Sequence, residues 1–242
     1  MNPILLIPAR LASTRLPAKP LADIGGVPMI VRVLRQAEAA GLGPVAVAAG
    51  DAEIAAAVKA AGGQAVLTDP DLPSGSDRIH AALEKLDPQR CHDVVINLQG
   101  DLPALDPAKI RAVAAALEDS GADIATLAAQ IADPSERDNP SVVKAVVAWD
   151  EDGMRGRALY FTRATAPTGD GPLFHHVGIY AYRRDALTRF VGLPPSPLEM
   201  REKLEQLRAL EANMSIAVAR VDSVPLSVDT PSDLERARKI LS

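Results

Sequence analysis

The chain has one cysteine, Cys91, in 242 residues. A single thiol cannot close an internal disulfide, and Cys91 with His92 has no third partner at metal-ligand spacing, so both are read as structural or incidental. The same scarcity favours a reducing compartment, and the cytoplasm is expected. Long apolar runs are missing as well. No stretch is long enough to cross a bilayer, and the four apolar residues Ile4 to Ile7 fall short of a signal-peptide core. Positive charge is not in excess: a net charge of −5 creates no global field toward nucleic acid or an anionic membrane, and neither is expected as a partner. Any anion site must therefore be a local concentration of cations. Aromatic residues are few, and no internal repeat, low-complexity tract or charge block marks a linker.

What is present is an ordinary globular composition, 48% hydrophobic and 24% charged, in a length that buries one sizeable core. One domain over residues 1–242 is expected, with a small subdomain around 133–215. Apolar runs at Ile4 to Ile7, Val45 to Val47, Val94 to Leu98 and Ile124 to Leu127, bounded by Gly, Pro or Asp, predict buried strands. Between them, helical patterns cover Met29 to Ala40, Glu53 to Ala61, Ser76 to Leu86 and Pro107 to Leu117. This β-α-β-α order predicts an α/β fold: a mixed, mostly parallel sheet flanked by helices, Rossmann-like in plan. Beyond Asp133 the alternation loosens, with strands predicted at Val142 to Val147, Val177 to Tyr182, Ile216 to Ala219 and Val224 to Val228. A helix is predicted from Pro197, with Ser196 as N-cap, Glu199 three residues later and a stripe of Leu204, Leu207 and Leu210. A last helix opens on Thr230, Pro231 and Asp233.

Directly after the first strand comes PARLASTRLPAKPL, in which three prolines and no apolar period exclude a regular helix or strand. The segment is an ordered loop carrying Arg10, Arg15 and Lys19. In open α/β sheets, ligands bind beyond the carboxyl ends of the strands, so three cations there can clamp a polyphosphate. Arginine forks meet phosphate oxygens two at a time, and a lysine follows a departing pyrophosphate as a mobile point charge. The loop has neither GxGxxG nor GxxxxGK[ST], which argues against dinucleotide-binding and P-loop readings. Asp101 follows the strand Val94 to Leu98 through a turn at Gly100, and Asp229 immediately precedes the N-cap Thr230. The two carboxylates would suffice for Mg²⁺, which takes one or two from the protein and fills its shell with water and phosphate oxygens. Each alone is better explained as a turn or capping aspartate.

The loop resembles the N-terminal signature of the sugar nucleotidyltransferases, in the form found in 3-deoxy-manno-octulosonate (Kdo) cytidylyltransferases. The similarity continues through SGSDRI at Ser74 to Ile79, NLQGDLP at Asn97 to Pro103 and YFTRATAP at Tyr160 to Pro167. It extends over HHVGIYAYR at His175 to Arg183, SPLEMREKLEQLRAL at Ser196 to Leu210 and VDTPSDLERAR at Val228 to Arg238. It implies Mg²⁺-dependent transfer of CMP from CTP to Kdo for lipopolysaccharide biosynthesis. A cytidylyltransferase for another acidic sugar is the nearest alternative; a sugar-nucleotide glycosyltransferase would not need the three loop cations.

The resemblance implies Arg10, Arg15, Lys19 and Asp101 as catalytic residues and Asp101 with Asp229 as metal ligands. Pro8, Ala9, Arg10, Arg15, Lys19, Ser74, Gly75, Arg78 and Gln99 would bind the nucleotide, although a plain helix cap explains Ser74 equally well. Gln99, Arg163, His176, Tyr180, Glu205 and Gln206 would bind the sugar, all but Gln99 from the 133–215 subdomain, which would also form a homodimer. Glu205 lies outside the leucine stripe, free of the core. His175 and His176 are adjacent, so in a strand they face opposite ways and make no paired metal site. Trp149 and Tyr160 are expected in a core or subunit contact. The sequence departs from the family's usual pattern at Leu102, where Glu is frequent, at Ala49-Gly50-Asp51, where a Thr-Asp step is usual, and in a shortened segment 168–174.

Overall fold

A computed structural model describes residues 1–12 and 15–241. The chain divides into two units, 1–111 with 225–242, and 112–224.

The first unit begins with β1 (Pro3–Ala9), a 3-10 turn (Lys19–Leu21) and the short hairpin β2 (Asp23–Ile24) and β3 (Val27–Pro28). Then come α1 (Met29–Ala39), β4 (Val45–Ala49), α2 (Ala52–Ala60), β5 (Gln64–Leu67), α3 (Gly75–Leu86) and β6 (Val94–Asn97). Helix α4 (Pro107–Ser120) carries the chain into the second unit, which holds β7 (Ile124–Gln130), β8 (Lys144–Trp149), β9 (Arg155–Thr162), β10 (Phe174–Arg183), α5 (Arg184–Val191), α6 (Pro197–Glu202), α7 (Gln206–Glu211) and β11 (Ile216–Val221). The chain returns to the first unit for α8 (Pro231–Leu241).

In the first unit β5, β4, β1 and β6 run parallel in that order, with Ile7 opposite Val47 and Leu5 opposite Ile96. Leu5, Leu6 and Ile7 are wholly buried, which explains why β1 is continuously apolar and not alternating. Each such side chain contributes about 1.5–3 kcal/mol by leaving water. Helix α1 buries the stripe Met29, Ile30, Val33, Leu34 and Ala37. Ile24, Met29, Val228, Leu234 and Ala237 form a further core with Leu16 and Leu226 packed on it, so α8 and the basic loop share an anchor.

The second unit is a mixed sheet in the order β10, β7, β11, β9, β8, with β7 and β11 parallel and the other neighbours antiparallel. β8 also meets β10 where Lys144 pairs with His175, so this sheet curls back toward its own start. A bulge interrupts the β10–β7 ladder between Val177 and Tyr180.

Two expectations need correction. Val224 to Val228 forms no strand; the segment is extended and held by a bond from the Val228 N–H to the Asp101 carbonyl, 3.0 Å. The helix expected from Pro197 through Leu210 is two helices: the Ser196–Glu199 capping box opens α6, and Lys203, in a left-handed conformation (φ 58°), closes it. Strands β5 and β9 and helix α5 lie in segments with no predicted element.

Candidate active site

The carboxyl ends of β1 and β6 lie side by side in the parallel sheet, and the residues beyond them line a cavity of about 760 Å³. Arg10, Arg15, Lys19, Gln99, Asp101 and Asp229 all contribute to its wall, with Pro8 and Ala9 at its base. Ser13 and Thr14 of the same loop lie outside the described residues.

At its centre, Lys19 Nζ stands 2.8 Å from Asp101 Oδ2 and 3.0 Å from Asp229 Oδ1. Arg15 Nη2 approaches the same Asp229 oxygen at 3.1 Å. Burial opposes the Lys19 charge, but the Asp101 and Asp229 carboxylates outweigh it and hold the ammonium above its usual pKa. Both carboxylates are fixed through the backbone: the Val228–Asp101 bond joins their segments, and the Asp229 N–H donates to Asp233 Oδ2 at 3.1 Å. Asp233 also accepts from the Thr230 N–H and hydroxyl, a cap that starts α8 directly behind Asp229. Gly100 is a necessity of space: a Cβ there would sit 2.9 Å from the Pro8 carbonyl oxygen. Leu102 is buried, so at that departure the chain carries core packing.

An adjoining cavity of about 140 Å³ shares Pro8, Ala9, Arg10 and Gln99 and adds Ser74, Gly75 and Arg78. Ser74 is the N-cap of α3, accepting from the Asp77 N–H and donating to the Asp77 carboxylate. Arg78 is 2% exposed, and its guanidinium donates to Thr68 Oγ1 (2.7 Å) and to the carbonyls of Asp69 (2.9 Å) and Pro70 (3.1 Å). Burial first, and Arg10 second, lower its pKa. Arg78 thus braces the loop that forms this wall, whereas Arg10 is exposed. The Gly50 departure fits the same packing, since a Cβ there would lie 2.8 Å from Arg78 Nη1. Asp51 has a job invisible in the sequence: Oδ2 accepts from the Leu11 N–H at 2.7 Å and pins the start of the basic loop.

The remaining expected residues, Arg163, His176, Tyr180, Glu205 and Gln206, all belong to the second unit. Arg163 donates to the carbonyls of Glu202 (2.8 Å), Pro140 (3.0 Å) and Lys203 (3.4 Å). His176 is flanked by Phe161 at 4.9 Å and Tyr180 at 5.5 Å between ring centroids. Burial, with His175 adding to it, pulls its pKa down to about 3, so the ring is neutral at neutral pH. Tyr180 is pushed well above its usual value by burial, with Tyr182 and Glu205 adding to it. Glu205 is half-buried and precedes α7, while Gln206 is 7% exposed and its Nε2 has no hydrogen-bond partner among the described residues.

Sequence reasoning missed Thr126, Lys144 and Glu202. Glu202 accepts from Thr162 Oγ1 (2.8 Å) and the Arg163 N–H (2.9 Å); burial opposes its charge, but these bonds hold its pKa below the usual range. Lys144 is fully buried, its ammonium donating to the Asn139 carbonyl at 2.7 Å, and burial lowers its pKa. A lysine inside the apolar run Val142 to Val147 was the available signal. Trp149 packs on Phe174 at 4.7 Å. Among the described residues no group of three or more His, Cys, Asp or Glu is placed to hold a metal, so an ion at the first cavity would rely on two carboxylates. No described helix is long and apolar enough to cross a membrane.

Residues 4–216 match the family model described as Cytidylyltransferase. The chain is 66% identical over 241 residues to a 3-deoxy-manno-octulosonate cytidylyltransferase of Parvibaculum lavamentivorans, covering 100% of this chain and 93% of that relative. It is 65% identical to another of that name from Rhodospirillum centenum, over 99% of this chain and 93% of the relative. Among solved structures, CMP:2-keto-3-deoxy-manno-octonic acid synthetase complexed with CTP superposes with a TM-score of 0.91 at 39% identity, covering 99% of this chain and 98% of that one. A nucleotidyl transferase from Methanothermobacter thermautotroptrophicus shares the fold at a TM-score of 0.61 and 17% identity, covering 99% of this chain and 97% of that one.

Proposed function

The chain belongs to the cytidylyltransferase family, and from that premise we propose that it transfers CMP from CTP to the anomeric hydroxyl of 3-deoxy-D-manno-octulosonate, releasing pyrophosphate, as a step toward lipopolysaccharide. The observation that carries this reading is the meeting of Lys19, Arg15, Asp101 and Asp229 in one cavity at the strand ends of a parallel sheet. Polyphosphate and divalent-cation chemistry need cations and carboxylates together there.

In this mechanism the sugar hydroxyl attacks the α-phosphorus, the bond to the β-phosphate oxygen breaks and pyrophosphate leaves. Arg10, Arg15 and Lys19 bind the triphosphate and offset the charge that grows on the leaving group. Pro8, Ala9 and Gln99 line the nucleotide cavity, with Ser74 and Gly75 at its helix end and Arg78 bracing its wall. No covalent intermediate with the protein is required, and no side chain is assigned as base.

The residues present fit Mg²⁺. Asp101 and Asp229 already converge on one cationic point, the Lys19 ammonium, and two carboxylates are what Mg²⁺ ordinarily takes from a protein. These two residues would hold it, and when bound it supplies charge neutralisation on the phosphate oxygens and acidifies the attacking hydroxyl. Sugar recognition is assigned to Arg163, His176, Tyr180, Glu205 and Gln206 with Gln99, and dimer formation to the 133–215 segment of a cytoplasmic enzyme.

The test is pyrophosphate release from CTP. Release is expected only with Mg²⁺ and Kdo together, and silence with Kdo and with a panel of other 2-keto acid sugars would overturn the reading.

A further inference from the structure

Thr126 lies on β7, wholly buried, and faces the bulge in β10. Its hydroxyl oxygen is 2.9 Å from the Ile179 carbonyl oxygen, 3.2 Å from that of Val177 and 3.0 Å from Nε2 of His176. A hydroxyl has one proton to give and two lone pairs that accept, whereas a carbonyl oxygen only accepts. The Thr126 proton must therefore go to a carbonyl, and what approaches its lone pair from the imidazole must be an N–H. If the hydroxyl donated to Nε2 instead, its oxygen would face two carbonyl oxygens within 3.2 Å with no proton toward either.

We propose that Thr126 is a positioning residue that fixes His176 as the Nε2–H tautomer, so that Nδ1 is presented as a hydrogen-bond acceptor to a hydroxyl of the acid-sugar substrate. Among the described residues Nδ1 has no hydrogen-bond partner, and the ring is held in place by the edge of Phe161 and by Tyr180. A lone pair in that position accepts from a sugar hydroxyl and repels the sugar's carboxylate. The histidine thus selects which end of the substrate it meets, a choice made by a threonine that touches no substrate.

The substrate half of this inference rests on the placement of His176 in the sugar site; the tautomer half does not. The experiment separates them. Long-range ¹⁵N–¹H imidazole spectra of the full-length enzyme without substrate, with the His176 signals identified by their loss in His176→Gln, should show a protonated Nε2 and a bare Nδ1. Thr126→Ser should keep that pattern, and Thr126→Val should give mixed tautomers or Nδ1–H. In steady-state assays Thr126→Val should raise KM for Kdo roughly tenfold, the worth of one hydrogen bond. KM for CTP should stay unchanged and kcat little changed, and Thr126→Ser should restore Kdo binding. Nδ1–H in the wild type, or an unmoved tautomer in Thr126→Val, overturns the proposal. A tautomer that behaves as expected with an unmoved KM for Kdo overturns the sugar contact alone.

Discussion

At the scale of single residues, the candidate site is governed by charges that satisfy one another. Lys19 is the shared counter-ion of Asp101 and Asp229, and any cation or phosphate that enters must compete with those contacts. Asp101→Asn keeps the side chain's shape and gives up one partly exposed ion pair, so melting should move by only a few degrees. Turnover should nevertheless fall by about two orders of magnitude or more, because the negative charge is what a metal needs; near-normal kcat would remove Asp101 from metal binding. Lys19→Ala should raise KM for CTP or lower kcat while KM for Kdo holds, and the opposite pattern in initial-rate kinetics would relocate the triphosphate. His176 carries a pH signature. Its pKa is depressed to about 3 in the fold against an ordinary value of 6.5. The unfolded chain therefore binds the extra proton between those values, and stability falls as pH drops below about 6.5, by up to about 1.4 kcal/mol per pH unit. Urea titrations at pH 7 and pH 5 on wild type and His176→Gln should show the wild-type loss reduced in the variant. Loop cations and acidic residues were visible in the sequence because their types are unusual at strand ends. That Arg163 spends its donors on carbonyls, and Arg78 on carbonyls and the Thr68 hydroxyl, was not, since an arginine reads alike whether it grips a ligand or a neighbouring loop.

At the scale of elements, β1 and β6 do the positioning, and the turn after β6 depends on Gly100. Gly100→Ala would push a methyl against the Pro8 carbonyl, a backbone atom that cannot swing aside. It should cost about 1–3 kcal/mol and should displace Asp101, so activity should fall even where the protein remains folded; an unchanged melting temperature and rate would show that the turn can relax. The central strands were legible because both faces of a parallel sheet are covered and their sequences are apolar throughout. β5 was missed because its pattern, Gln-Ala-Val-Leu, is half exposed at the end of the parallel run. β9 was missed because Arg155, Arg157 and Leu159 alternate on its exposed face and hide the buried Ala158 and Phe161. Val224 to Val228 has the composition of a strand, but its backbone is used to tie Asp229 to Asp101. The false continuity of the helix after Pro197 came from a leucine stripe that starts at Leu204, past the end of α6, and runs into α7 at Leu207 and Leu210, while the break rests on one backbone conformation at Lys203 that periodicity does not reveal.

At the scale of the whole molecule, the residues proposed to bind phosphate come from the first unit, while all the expected sugar residues except Gln99 come from the second. The chain order spreads the first set from Pro8 to Asp229, so no single motif carries the chemistry. The loop alone speaks for a polyphosphate, and the family's later segments are needed to name the base and the sugar. The most direct measurement is ³¹P NMR of the enzyme with CTP, Mg²⁺ and Kdo. The three CTP resonances should give way to one phosphodiester signal and one from pyrophosphate, with the mixture unchanged when Kdo or Mg²⁺ is left out. Formation of CDP and phosphate, or no conversion of CTP in the complete mixture, would contradict cytidylyl transfer to this sugar.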